Sequence, residues 1–496
     1  MLEECHTPDD PGTPMRLARH KSPVHTWNHP TACTDANGVG ELEGFSLTPP
    51  HAPAKLGVAA VVAMAFFNVS GGPWGSEDIF SSSCPMVGCL GILTFTVFFC
   101  MPQVLVTSEL SCALPSNGGY LIWIREAFGD FWGFQVTYWQ FVSGVADAAV
   151  YPVLICDTVM QVMGITEMGL LQKWLWRLLT TILLSLPTFV SISSVPHMLV
   201  AMAITTGAPV VTFIALGLPR VDTSVWTQVQ PGKAMQLGKM INVLFWNLEG
   251  WDCVSTCSAL CEEPIERTVP RGLFIALAIT STQYLFVLLV AAGISKDTNP
   301  WQKWDDGTLP SIGASLGVVM TGLLLISSLV GNAGQYMSEF LEDSYLLQGA
   351  AEIGVVPRFL GKVWSSGAPY MANVAQLCII LVMLSFDFSD ILVFDNFFCA
   401  SAISLEFAAF FWLRWSQPDM RRPFRVPSWS FVLFPPAAVV LLVVVIHCLT
   451  KSWKAFAINA TAFVLGLPYG WWISRKSQQQ HEHGHRSSLD VLLEDD

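Results

Sequence analysis

Charge is what this sequence is short of. Charged residues make up 13% of it, against roughly 25% in a soluble domain, which excludes an ordinary water-soluble protein. The charge that is present is mostly negative: 25 Lys and Arg face 38 Asp and Glu, for a net charge of −13. A nucleic-acid binder needs a basic stripe; none is there, so no nucleic-acid partner is expected. No Gly-x4-Gly-Lys phosphate cradle occurs, which excludes an ATP-driven pump of that type. No other catalytic constellation is present, so an enzyme, a cofactor and a metal site are not expected. The first residues, Met1-Leu2-Glu3-Glu4, lack a basic stretch followed by an apolar core. No cleaved signal peptide is expected, and the first span is expected to insert itself. The loop after the third apolar segment has no Cys to bridge a partner subunit, and no obligate partner is expected. The 13 Cys lie scattered, mostly in apolar segments, where they read as small packing residues.

What is abundant is apolar: 52% of the chain. Residues 1–54, rich in Pro, His, Thr and Asp, read as a disordered cytosolic tail, and residues 474–496 as a polar cytosolic tail. Between them lie twelve segments near the roughly 20 residues that cross a bilayer. They are 55–83, 86–113, 131–161, 173–192, 196–217, 237–261, 270–294, 313–341, 369–386, 389–414, 431–449 and 453–473. With the N-terminus in the cytosol, most Lys and Arg fall on the cytosolic side, so both termini are expected there. The expected place is the plasma membrane, as a multi-pass protein in the lipid bilayer. Residues 117–129 read as an interfacial amphipathic helix.

Two of the segments are broken at their middles. The first is interrupted by Ser70-Gly71-Gly72-Pro73-Trp74-Gly75 and then Glu77 and Asp78; the sixth by Asn247-Leu248-Glu249-Gly250-Trp251-Asp252. Each Gly lowers helix stability by roughly 1 kcal/mol and Pro by roughly 3 kcal/mol. Unwound backbone is tolerated in a membrane only where it is buried or lines a cavity, and interrupted spans in matching positions of two halves point to a transporter's binding site. Residues 55–217 and 237–414 are therefore expected to be inverted five-span halves, with 431–473 supplying the last two spans. Ser70, Gly71, Gly72 and Asn247 are expected to line the cavity.

The acids within or beside apolar spans are Glu77, Asp78, Glu109, Asp147, Asp157, Glu249, Asp252, Glu339 and Glu406. A charge near the bilayer centre costs roughly 2.5–3.5 kcal/mol on insertion scales, and almost no Lys or Arg shares these spans. Such acids are neutral, hydrogen-bonded, or answered by an external cation. Asp147 and Tyr151, four apart, share a helical face. Trp74, Trp246 and Trp251 flank the breaks, where an alkylammonium gains about 0.5–2 kcal/mol over an aromatic ring. Asp147, Tyr151, Glu249, Glu77 and these tryptophans are the expected contacts for a small cationic substrate. Asp252, Glu339, Tyr336 and Glu109 are the candidates for gating or coupling. Glu109 and Glu406 also fit helix-to-helix anchors, and Asp252 fits a helix N-cap.

These motifs resemble one family. The stretch Phe67 to Asp78 resembles the first-span signature of the amino acid–polyamine–organocation superfamily, most of all its polyamine-uptake branch in plants and trypanosomatids. Ser143 to Pro152 is similar to that branch's third span, and Leu244 to Asp252 with Glu262, Pro264, Pro270 and Arg271 to its sixth. Leu405 to Phe410 and Arg422 to Pro427 resemble its tenth span and following loop, and Glu339, Asp343 and Ser344 fall at similar places in span 8. The resemblance covers about residues 55 to 475. It implies an all-α membrane protein of the LeuT-type 5+5 inverted-repeat fold, with 12 transmembrane helices of which the first and sixth are broken. It also implies secondary active import of a polyamine such as putrescine or spermidine by alternating access, driven by H+ or the membrane potential. An amino-acid permease, for arginine, ornithine or a neutral amino acid, is the alternative. Carried over by position, Asp147, Tyr151, Trp246 and Glu249 line the central cavity. Trp74 stands where Phe is more usual, and span 5 lacks the Lys that some proton-coupled relatives carry, which leaves the coupling ion open.

Overall fold

Backbone polar groups in lipid have only each other to bond with, and the chain answers with helices. The structure, a computed structural model, describes residues 55–494 apart from 117, 166–167, 191–193, 231–233, 306, 365–366 and 387. The tail expected over 1–54 lies outside the described residues. The helices are α1 (Val58–Val69), α2 (Glu77–Ser81), α3 (Pro85–Phe95), α4 (Met101–Ala113), α5 (Tyr120–Phe128), α6 (Asp130–Val162), α7 (Leu170–Val190) and α8 (Val195–Gly217). After them come α9 (Leu237–Leu248), α10 (Ile265–Ile294), α11 (Thr308–Ile312), α12 (Val318–Glu352), α13 (Tyr370–Met383), α14 (Phe388–Ser416), α15 (Phe434–Thr450) and α16 (Trp453–Glu494). A π-helical turn over Thr96–Cys100 joins α3 to α4. Among the described residues, eight helical stretches are long and apolar enough to cross a membrane, and α1 and α13 are shorter apolar helices. Leu171, Leu175, Leu179 and Leu183 repeat along one face of α7, all exposed; lipid is the solvent in which such a stripe is stable.

The first span is broken where expected. After α1, Gly71 (φ 50°), Gly72 (φ 126°) and Gly75 (φ 80°) carry the chain through left-handed conformations that other residues rarely adopt. The sixth span is broken too, but its second half differs from expectation. Beyond Glu249 the chain makes two short 3-10 turns, Cys253–Thr256 and Ser258–Leu260, and no α-helix. Cys253, Cys257 and Cys261 therefore do not share a long helical face. Leu56 N–H donates to Leu260 O at 2.8 Å, and Glu262 N–H to Leu56 O at 3.0 Å. This strand-like pairing fixes the start of α1 to the end of the second break.

Helices α6 and α12 pack along each other, α14 lies against α6, and α1 is held by α8, α10 and α12. Helix α12 comes close to the first break at Gly331, where a Cβ would sit 2.1 Å from Gly71 O. Between α8 and α10, Lys296 Nζ lies 2.5 Å from Asp222 Oδ2, and this ammonium holds the exposed Asp222 carboxyl well below the usual carboxylate range. The last helix runs on to Glu494, through the segment expected as a polar tail.

Candidate functional site

Four elements and the two breaks converge on Asp147. Tyr151, one turn further along α6, donates its hydroxyl to the Asp147 carboxylate. Trp246, near the end of α9, donates Nε1–H to Asp147 Oδ1 at 2.7 Å. From α12, Gln335 Nε2 reaches the Tyr151 hydroxyl at 3.4 Å. The helix α9 ends at Leu248, and Glu249 follows with extended backbone, which turns its carboxylate toward α14. There Oε2 accepts the Cys399 thiol at 2.8 Å. Asp395, one turn earlier on α14, accepts the Ser143 hydroxyl at 2.5 Å, and its Oδ2 has no partner. Asp147 is buried, whereas Glu249 is half-buried.

The two breaks touch beside this set. Asn247 Nδ2 donates to Gly75 O at 3.3 Å. Gly250 has φ 91°, and a Cβ there would lie 2.6 Å from Asn68 O. Trp246 covers Gly75 so closely that a Cβ on that glycine would meet its ring at 2.7 Å. Ser70 is tied in place: Gln283 Nε2 donates to its hydroxyl oxygen at 3.3 Å, and that hydroxyl donates to Gly72 O at 3.0 Å.

Within the first break, the amide groups of Gly71 and Gly72 are already engaged. Gly71 N–H donates to Phe66 O at 3.0 Å, and Gly72 N–H to the Ser70 hydroxyl at 3.3 Å. Glu77, fully buried, accepts from Leu309 N–H at 3.1 Å through Oε1, and its Oε2 has no partner. This bond ties the first break to α11 and does not run to the Asp147 set. Trp74 is buried with Nε1 unpartnered. Trp251, fully buried, donates to Leu248 O at 2.8 Å and so packs behind the second break.

A second acidic group lies further along α12. Asp252 accepts Gln103 Nε2 and Gln140 Nε2, each at 2.7 Å, and Gln140 also reaches Glu406 at 3.3 Å. The Asp252 side chain makes no capping bond, so it is a network member and not an N-cap. Glu342 accepts the Tyr120 hydroxyl at 2.7 Å. Cys253, Glu339 and Glu342 offer donor atoms within 4.8 Å of one another. Both carboxylate oxygens of Asp343 are buried without a partner. Tyr336, on the same helix, shares a 2.6 Å hydrogen bond with Ser185 and stacks on Phe340.

Charge separates these acids into two kinds. Glu109 is caged: Arg414 pairs with it, Arg422 Nε lies at 3.1 Å, and Val426 N–H donates at 2.6 Å. It is a helix anchor, like Asp78 with Lys239 at 2.7 Å and Asp157 with Arg177 at 3.8 Å. Asp147, Glu249, Asp252, Glu339, Glu342, Asp343, Asp395 and Glu406 have no Lys or Arg at ion-pair distance among the described residues. Glu342 and Asp395 were not singled out from the sequence, although both are acids in an apolar span, the signal that marked Glu339. Cys399, Gln335, Gln140 and Gln103 gave no sequence signal at all.

Comparison with known proteins adds the family. A family model described as amino acid permease matches residues 56–467. A protein of Arabidopsis thaliana named probable polyamine transporter is 32% identical over 474 residues, 89% of this chain and 97% of the relative. A second protein of that plant, named polyamine transporter, is 30% identical over 461 residues, 91% of this chain and 92% of the relative. A protein of Lactococcus lactis named probable agmatine/putrescine antiporter is 24% identical over 387 residues, 71% of this chain and 79% of the relative.

Proposed function

The chain belongs to the amino acid permease family, and on that premise we propose that it is a secondary active transporter that imports cationic amines, putrescine or spermidine among them. It is a transporter and not an enzyme. The observation that carries the reading is the pair Asp147 and Glu249, set where the two breaks meet and answered by no Lys or Arg. A carboxylate inside a bilayer costs roughly 2.5–3.5 kcal/mol when nothing compensates it, so a bound ammonium is the missing partner. Asp147 holds it, Glu249 admits it from the exposed side, and the indole of Trp246 lies against the alkyl chain and cation. The hydrogen bonds from Trp246 and Tyr151 fix the Asp147 carboxylate before the cargo arrives.

Transport follows from the breaks. In the proposed cycle they are the hinges of a LeuT-type 5+5 inverted repeat with twelve spans, which alternates access to the site between the two sides of the plasma membrane. Both termini face the cytosol, and the chain acts without an obligate partner. Each cationic charge entering the cell gains roughly 2.3 kcal/mol per 100 mV, and H+ is the proposed coupling ion.

The amino-acid reading is weakened by one observation. A substrate carboxylate needs free N–H groups at the first break, yet those of Gly71 and Gly72 serve Phe66 and Ser70. Uptake of radiolabelled putrescine, competed with spermidine and with arginine, tests the choice. Spermidine displaces the label and arginine does not. Displacement by arginine at equal concentration returns the protein to the amino-acid class.

A further inference from the structure

The Asp147–Glu249 set uses only part of the buried negative charge. Further along α12, Asp343 is 1% exposed and neither of its carboxylate oxygens has a hydrogen-bond partner. The place is built for it. Across from Asp343 on α6 stands Gly144, where a Cβ would lie 2.6 Å from Asp343 Oδ1; any larger residue would displace the carboxylate. Gly144 and Asp147 are three residues apart and share a helical face. Asp343 therefore lies beside the first site, close enough to interact electrostatically with Asp147 and Glu342.

The spacing along α12 supplies a scale. Gln335, Glu339 and Asp343 follow one another every four residues on one face, about 6 Å per step, so Asp343 lies about 12 Å along the axis from Gln335. On α6, by contrast, Gly144, which faces Asp343, is a rise of only about 4.5 Å from Asp147. Gln335 touches Tyr151 at the first site. Glu342, next to Asp343, keeps a Tyr120 hydroxyl at 2.7 Å, and Glu339 stands between the two ends. With single bonds near 1.5 Å, the two nitrogens of a stretched four-carbon diamine are about 6 Å apart.

We propose that Asp343, with Glu339 and Glu342, forms a second ammonium-binding site beside the Asp147–Glu249 site, so that the protein selects amines carrying two or more spaced ammonium groups. The proposal rests on the amine-transport reading and adds its substrate class. A monoamine or an amino acid with one cationic group fills the first site and leaves Asp343 unanswered. A diamine fills both.

Purified full-length protein, titrated with putrescine and separately with butylamine, tests this. Wild type binds putrescine at least tenfold more tightly than butylamine. In Asp343→Asn the putrescine affinity falls at least tenfold while butylamine binding changes less than twofold, so the preference collapses. Gly144→Ala, which pushes a methyl group against the same carboxylate, is the second variant; it narrows the preference in the same direction and serves if Asp343→Asn does not fold. A preference that survives in the folded variants, or an equal loss for both probes, overturns the second site and leaves the transport reading intact. Wild type that binds neither probe removes the transport reading itself, and the second site with it.

Discussion

A carboxylate buried in a membrane protein is stable only when its charge is answered, and Glu109 and Asp147 are answered in different ways. Glu109 has two guanidinium groups and a backbone N–H. Removing one member of a buried ion pair costs about 3–5 kcal/mol. Glu109→Gln is therefore expected to lower the thermal unfolding midpoint and the yield of folded protein, with the KM of what remains unchanged; thermal unfolding and uptake on the same preparation check both halves. Asp147 has only neutral donors, Tyr151 and Trp246. A hydrogen bond to a charged group is worth about 1.5–3 kcal/mol, so Asp147→Asn is expected to raise the KM for putrescine about tenfold or more while the thermal midpoint holds or rises. An unchanged KM would remove Asp147 from the site. From the sequence, Asp147 read as a substrate contact and Glu109 as a gating candidate or helix-to-helix anchor, but nothing there showed what answers either charge. The cations that separate them, Arg414 and Arg422, come from a segment some 300 residues away in the chain, and pairing at that distance is invisible without the fold.

At the scale of elements, the breaks were legible because helix breakers act locally. Ser70 to Gly75 holds three Gly and one Pro, and the chain unwinds there whatever surrounds it. The second half of the sixth span misled for the opposite reason. Cys253-Val254-Ser255-Thr256-Cys257-Ser258 is apolar enough to read as membrane, but all six are indifferent helix formers, and the pairing of Leu56 with Leu260 and Glu262 takes the backbone instead. The breaks also depend on close contact between helices. Gly331→Ala places a methyl group 2.1 Å from Gly71 O and 2.8 Å from Trp74 Nε1, so α12 and the first break must separate. Overpacking of this kind typically costs 1–3 kcal/mol. The expected outcome is protein that reaches the membrane and loses most of its uptake, checked by surface labelling beside transport. Full uptake by this variant would mean that the first break does not have to stay against α12 during transport.

Over the whole molecule, buried acids from Glu249 to Asp343 gather in an interior where none of them has a Lys or Arg at ion-pair distance among the described residues. The sequence pointed to this through acids placed within apolar spans, Asp147, Glu249, Glu339 and Glu406 among them. What composition could not give is convergence, because Asp147, Glu249, Asp343 and Asp395 come from four separate elements, and only packing of α6, α12 and α14 with the second break brings them together. Such an interior attracts cations and repels anions whatever their shape. Selectivity within cations is then a matter of where the charges sit. Uptake of labelled putrescine by Glu249→Gln, set against wild type at equal surface expression, tests that claim most directly. The substitution removes one charge and keeps the shape; at about 1.4 kcal/mol per decade of affinity, loss of one charged contact predicts a KM raised about ten- to a hundredfold. Equal uptake by wild type and Glu249→Gln would contradict the assignment of this interior to a cationic amine.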